Sequence, residues 1–262
     1  MQKTQIYYPR TYRRLTPNKF SQWIYILLIV LPCLILLLLF YSKISLILSE
    51  YTARYLREAL PGIEITIGHS EYIPYFGGVS FVSLPGKLPS FEFTVANLLI
   101  SLALFILFTH VKKLKGAPLF IYLSIALMIH IVSCLYFALA PESFPYTVSD
   151  YSDLYIKQQI GMWLSFLVLL GFVTGFLNNA SLLQRIVTFA GVMIYSAVFG
   201  SIRYLVFLYL IHIGSSLYMP TFFFSLGPFF DFLYLVCFYS AFVGRVIKKF
   251  DSRKGRLTWG WL

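Results

Sequence analysis

The sequence predicts an all-α polytopic membrane protein with six transmembrane helices. Hydrophobic residues make up 59% of the 262 residues and charged residues only 12%, with a mean hydropathy of +0.77. A chain of this composition has too few polar residues to cover the surface of a water-soluble globule. Six apolar stretches are each long enough to cross ~30 Å of hydrocarbon. Lipid is therefore the predicted solvent.

The apolar stretches divide the chain into regions. We expect a basic N-terminus at 1–22, a first transmembrane helix at 23–41, an insert at 42–92, a bundle of five helices at 93–243 and a basic tail at 244–262. Within the bundle, the spans are predicted at 93–111, 117–138, 160–177, 186–212 and 221–243. The first stretch is too long for the apolar core of a signal peptide, and no small-residue cleavage site follows it.

The insert at 42–92 is predicted to contain a helix and a small β-hairpin. Apolar residues recur near helical spacing among the charged residues of 42–60, which predicts an amphipathic helix. This helix either lies along the outer interface or continues the first span. Residues 63–67 and 79–84 alternate between apolar and polar, which indicates two short strands. A further polar segment at 141–157 is expected to be a loop.

Lysine and arginine predict the orientation of the spans. One side of the membrane receives fifteen of them, whereas the other receives five together with eight of the ten acidic residues. The positive-inside rule therefore places both termini in the cytoplasm and the insert outside. Membrane topology explains most of the net charge of +11, so we expect no nucleic-acid partner. The basic tail is expected to rest on anionic lipid or to dock on a neighbouring subunit through its aromatic end.

Two charged residues are predicted at membrane depth, Arg203 in the fifth span and Asp231 in the sixth. Each lies ~20–25 Å from the inner end of its span at ~1.5 Å per residue. Because a charge near the bilayer centre is costly, we expect the two side chains to form an ion pair inside the bundle. The alternative is that Arg203 reaches the outer headgroups while Asp231 is protonated or bonded to a tyrosine.

The remaining chemistry-bearing residues predict no catalytic or metal site. His130 and His212 are expected to form hydrogen bonds between helices as neutral side chains. The three cysteines, each inside an apolar stretch, are expected to be free thiols. We find no known nucleophile, phosphate-binding or dinucleotide motif, and we expect no cofactor.

The region from 178 to 243 resembles the exosortase and archaeosortase membrane proteins. The resemblance rests on a short basic turn, an apolar helix with small residues and an arginine (Phe199, Gly200, Ser201, Ile202, Arg203), and an aromatic-rich helix that begins near Phe222. It implies that Arg203 matches the family arginine. The family cysteine would fall at 159–162 and the family histidine at 224–225, where this chain has neither, and His212 lies too early to replace that histidine.

The resemblance implies a role in bacterial exopolysaccharide systems. Without the thiolate the chain cannot form an acyl-enzyme. We therefore expect a non-catalytic subunit in the bacterial cytoplasmic membrane, bound to another membrane protein such as a glycosyltransferase or secretion subunit. Two alternatives remain open, namely an active sorting or transpeptidase-like enzyme and a small transporter or lipid-handling protein.

Overall fold

The computed structural model describes residues 23–74, 76–110, 118–176 and 180–253. Six helices in this part of the chain are long and apolar enough to cross a membrane, so the predicted all-α polytopic fold is confirmed. They are α1 (Trp23–Ala59), α2 (Phe91–His110), α3 (Pro118–Leu139), α4 (Val148–Phe176), α5 (Leu182–Gly214) and α6 (Gly227–Arg253). The predicted basic N-terminus, the lysines at 112–115 and the last nine residues of the tail lie outside the described residues.

The first span and the predicted amphipathic helix form one continuous helix, which is the second of the two arrangements expected for them. Its 37 residues extend over about 55 Å at ~1.5 Å per residue, much longer than the hydrocarbon core. The C-terminal half of α1 buries Ser45, Ser49, Thr52 and Leu56 against the rest of the chain. Pro61 and Gly62 follow the helix, and Gly62 adopts a φ of +87° that favours glycine.

The fourth helix begins earlier than predicted, so the expected loop at 141–157 is wrong in its second half. The Asp150 backbone N–H donates to Thr147 Oγ1, and the Thr147 backbone N–H donates to Asp150 Oδ2 at 2.8 Å. These reciprocal bonds form a capping box, which satisfies free donors at a helix start. A short 3-10 turn, Pro141–Ser143, precedes it.

The predicted β-hairpin is present as β1 (Thr66–Ile73) and β2 (Gly77–Ser83), paired antiparallel with His69 opposite Ser80. The first strand begins and ends later than the predicted 63–67, because the alternating residues 63–65 precede the pairing with β2. β2 packs against both α1 and α4, so the β2 side of the hairpin faces these two helices. At its tip the Tyr41 hydroxyl donates to the Gly77 carbonyl at 2.5 Å. Burial, with a smaller effect of Tyr41, raises the pKa of the Tyr72 phenol at the same end.

The main core lies where α1, α4, α5 and the hairpin meet, and its largest fully buried side chains include Tyr155, Tyr204 and Leu56. The helices α2 and α3 pack on each other at the edge of this assembly. The chain enters α6 through a 3-10 turn (Ser216–Tyr218), one α-helical turn (Met219–Thr221) and a π-helical turn (Phe222–Leu226).

The turn after α5 contains a strained residue. Ser215 is buried and has φ +118° and ψ 171°, a region that only glycine adopts freely. Ser215 Oγ also accepts from the Leu217 backbone N–H at 3.4 Å, a capping bond whose loss to glycine costs only a few tenths of a kcal/mol. Relief of the strain is larger, so we expect Ser215→Gly to raise the free energy of unfolding by about 1 kcal/mol, measured by unfolding in mixed micelles. The matched control is Ser216→Gly, which is expected to be destabilising because Ser216 has negative φ and donates to the Lys87 carbonyl. Equal effects of the two substitutions would contradict this explanation.

Candidate functional site

Arg203 and Asp231 meet in the interior of the bundle. Arg203 Nη2 lies 2.9 Å from Asp231 Oδ2, and the two side chains are 5% and 2% exposed. The predicted ion pair is therefore confirmed. Arg203 does not reach the outer surface, which the alternative arrangement required, although Asp231 does bond to a tyrosine, Tyr234.

The guanidinium of Arg203 is bound on all sides by groups of the same chain. Its Nε donates to the Tyr155 hydroxyl at 2.7 Å, and its Nη1 donates to the Gly227 carbonyl at 2.8 Å. Besides Asp231, Nη2 also donates to Gln159 Oε1 at 3.0 Å. The guanidinium is always charged and carries five N–H bonds, and it thus donates four hydrogen bonds to groups of the chain.

The second oxygen of Asp231 connects to a chain of polar side chains. The Tyr234 hydroxyl lies 3.0 Å from Asp231 Oδ1 and 2.6 Å from Ser196 Oγ, and Trp163 Nε1 donates to the same Oγ at 3.0 Å. A hydroxyl has one proton, so Tyr234 donates to one neighbour at a time. We call the set formed by Arg203, Asp231, Tyr155, Gln159, Tyr234, Ser196 and Trp163 the Arg203 network.

Helical spacing brings these side chains together. On α4, Tyr155, Gln159 and Trp163 are four residues apart, so they lie one above the other on one face. Ser196 and Arg203 on α5, and Asp231 and Tyr234 on α6, share a face of their helices in the same way. Three helices therefore each present a polar stripe to a common point.

Gly200 allows α4 and α5 to approach closely beside Arg203. A Cβ at this position would lie 2.7 Å from the side-chain amide carbon and nitrogen of Gln159. The Tyr155 hydroxyl also donates to the Gly200 carbonyl at 3.1 Å. The absence of a side chain at 200 thus leaves room for the carboxamide that contacts the guanidinium.

The two histidines lie outside the Arg203 network. His212 Nδ1 is 2.8 Å from the Pro85 carbonyl, so it donates that proton. His130 Nδ1 is 3.1 Å from Thr221 Oγ1, and its ring stacks on Tyr218. Both histidines join segments from different parts of the chain. The described residues contain no group of three metal-ligating side chains, and the three cysteines are free thiols.

The hairpin connects to the network through Tyr204. Its ring stacks on Tyr155 with centroids 5.1 Å apart, its hydroxyl accepts from the Val82 backbone N–H at 2.9 Å, and Ser152 Oγ lies 2.5 Å away. Tyr204 is fully buried. The hairpin is thus held by a phenol on the helix that carries Arg203.

Removing the Tyr204 hydroxyl is expected to loosen the hairpin. In Tyr204→Phe the buried Val82 N–H loses its acceptor, so we expect a loss of about 1–3 kcal/mol and faster hydrogen exchange at Val82. The matched control is Tyr51→Phe, because Tyr51 is 62% exposed. Unchanged exchange at Val82 would show that the hydroxyl does not hold the strand.

Sequence reasoning identified Arg203 and Asp231 but missed most of their neighbours. Tyr155, Ser196 and Tyr234 are common residue types in apolar helices, and nothing in their identity marks them. The feature of the sequence that could have indicated the neighbours on α4 is the four-residue spacing of side chains with polar groups in 155–163. In the sequence, Gln159 is marked only by lying in the range 159–162, where the family cysteine is absent.

No protein-family model matches the chain, and no match is found among the curated proteins or the solved structures. The resemblance to the exosortases and archaeosortases therefore stays a prediction.

Proposed function

We propose that this protein is a non-catalytic membrane subunit of a bacterial envelope complex that makes or secretes exopolysaccharide. One observation carries the proposal. Arg203, the residue matched to the family arginine, is buried and gives its hydrogen bonds to the chain's own carboxylate, carboxamide, phenol and carbonyl groups. An arginine engaged in this way braces helices, and it has few donors left for a substrate.

Gln159 supports the same interpretation. The resemblance places the family cysteine at 159–162, and in this chain Gln159 contacts the guanidinium directly. A carboxamide is not a nucleophile and cannot form an acyl-enzyme. One of the four positions at which the resemblance places the reacting sulfur thus holds a carboxamide that accepts a hydrogen bond from Arg203.

The exposed surface of the bundle suits a subunit with membrane partners. Large apolar side chains of α2 and α3 are more than half exposed, among them Leu99, Ile100, Ile121 and Met128. At membrane depth such surfaces contact lipid or the helices of neighbouring proteins. A braced bundle of fixed shape would present these surfaces in a constant arrangement.

Affinity capture tests the proposal. The tagged chain is extracted from its own host in mild detergent, and the co-purifying proteins and the cell-surface polysaccharide are measured. We expect a membrane glycosyltransferase or secretion subunit in the purified material, and loss of the polysaccharide when the chain is deleted. Purification of the chain alone, with normal polysaccharide in the deletion strain, would overturn the proposal. An unrelated six-span protein with the same tag is the control for nonspecific recovery.

A further inference from the structure

The two edges of the β-hairpin differ in what covers them. On β2, the Ser80 backbone N–H donates to Ser45 Oγ at 3.0 Å, and the Ser80 carbonyl accepts from Ser49 Oγ at 2.8 Å. Val82 N–H donates to the Tyr204 hydroxyl. Helix side chains therefore cover the β2 edge.

The geometry of the ladder determines which groups of β1 point outward. In an antiparallel pair, residues opposite each other turn their backbone groups either both inward or both outward, in alternation. Ser80 and Val82 turn theirs away from β1, and their partners are His69 and Ile67. The N–H and C=O groups of Ile67, His69 and Glu71 therefore point away from β2 and form what we call the β1 edge.

The β1 edge has no cover among the residues that the structure describes. His69 and Glu71 are exposed, and Ile67 is half-buried. Just before the strand, Arg57 of α1 donates to the Ile65 carbonyl at 2.8 Å, so the open part begins at Ile67. An edge of this kind is a template for another strand.

We propose that the β1 edge binds an extended, basic segment of a partner protein on the outer side of the membrane, as an added third strand. Backbone hydrogen bonds to Ile67, His69 and Glu71 would supply affinity, as in other cases of strand addition. The proposal rests on the proposed function, since it gives the subunit a docking edge for a partner.

The charges near the β1 edge determine which kind of partner segment would bind there. The exposed carboxylates of Glu64 and Glu71 lie just before and on the edge. The segments predicted to face outward carry eight acidic against five basic residues. Of Glu64 and Glu71, only Glu71 is in the strand itself, so lysine or arginine on the incoming strand beside it would face its carboxylate. Opposite charges across strands are favourable. A second copy of this chain would bring the same acidic charges and is disfavoured.

A synthetic peptide tests the inference directly. The full chain is placed in nanodiscs of phosphatidylcholine, a lipid without net charge, and mixed with an N-acetylated, C-amidated octapeptide of alternating threonine and lysine at up to millimolar concentration. Hydrogen exchange at the backbone amides of Ile67, His69 and Glu71 is measured by NMR. We expect exchange at these three amides to slow by about tenfold or more, because hydrogen-bonded amides exchange only after opening.

Two controls determine the outcome. The octapeptide with glutamate in place of lysine is expected to give no protection. In the Glu71→Pro variant, which removes an outward N–H and leaves the ladder bonds intact, the lysine peptide is expected to lose most of its effect while Val79 stays protected. No slowing with the lysine peptide, or equal slowing with the glutamate peptide, would overturn the inference. Recovery of a glycosyltransferase despite that result would leave the proposed function standing.

Discussion

Replacing Asp231 with alanine is expected to lower the free energy of unfolding by about 3–5 kcal/mol, the largest effect of any single substitution considered for this chain. The reason is the burial of Arg203, which is 5% exposed on its side chain and keeps its charge when the carboxylate is removed. The remaining partners of the guanidinium are neutral groups. The measurement is reversible unfolding of purified protein in mixed micelles.

A double-mutant cycle with Arg203→Ala isolates the interaction. The sum of the losses in unfolding free energy of the two single variants should exceed the loss in the double variant. The reason is that the second substitution removes the charge that the first left unpaired. The control is Glu58→Ala, which breaks an exposed ion pair with Arg54 at 3.6 Å and is expected to cost less than about 1 kcal/mol. Additive losses at Arg203 and Asp231 would contradict a direct ion pair.

The second large effect is expected at Gly200. In Gly200→Leu the new side chain must displace the Gln159 carboxamide, whose atoms lie within 2.8 Å of the Cβ position. We expect a loss of about 3 kcal/mol, which combines overpacking between α4 and α5 with a lost hydrogen bond to a charged group. Unfolding in mixed micelles measures it.

Gly244 on α6 provides a matched control, because no atom lies within 4 Å of a Cβ at that position. Gly244→Leu is expected to keep stability or to raise it by up to about 1 kcal/mol, because leucine favours a helix more than glycine does. If both leucine variants were equally stable, the close approach of α4 and α5 at Gly200 would not be required.

Hydropathy predicted the class of fold because every segment that crosses the membrane must be apolar and long enough to span the hydrocarbon. The ends of the helices were harder to predict. Residues 42–59 extend α1 far past the hydrocarbon, and the first turns of α4 are polar, so neither boundary coincides with a change in hydropathy. The Thr147 and Asp150 pair was the local signal for the start of α4.

The site could be predicted only in part. A charge in an apolar helix is rare, so Arg203 and Asp231 were apparent from composition alone, and their matched depths predicted the contact. Gln159, Tyr155 and Tyr234 form the rest of the site because α4 packs against α5 and α6 in one particular rotation. That rotation depends on close contacts such as Gly200 against Gln159, which a sequence pattern does not specify.

We propose that the Arg203 network braces the bundle and does not act on a substrate. The most direct test is a variant that replaces its charged and amide groups with apolar side chains of similar volume, Gln159→Met, Arg203→Met and Asp231→Leu together. Apolar replacement of a complete buried ion pair is often neutral or stabilising. Tyr155 and Tyr234 keep their bonds to the Gly200 carbonyl and Ser196, and Gln159 Nε2 has no partner to lose among the described residues.

The amount of surface polysaccharide is measured in cells that carry only this triple variant. Partner recovery is determined in parallel. If the network only braces the bundle, polysaccharide production and partner recovery both stay at the level of the unmodified chain. Loss of the polysaccharide by a variant that still folds and still recovers its partner would contradict the account, because it would show that the polar groups themselves take part in a reaction.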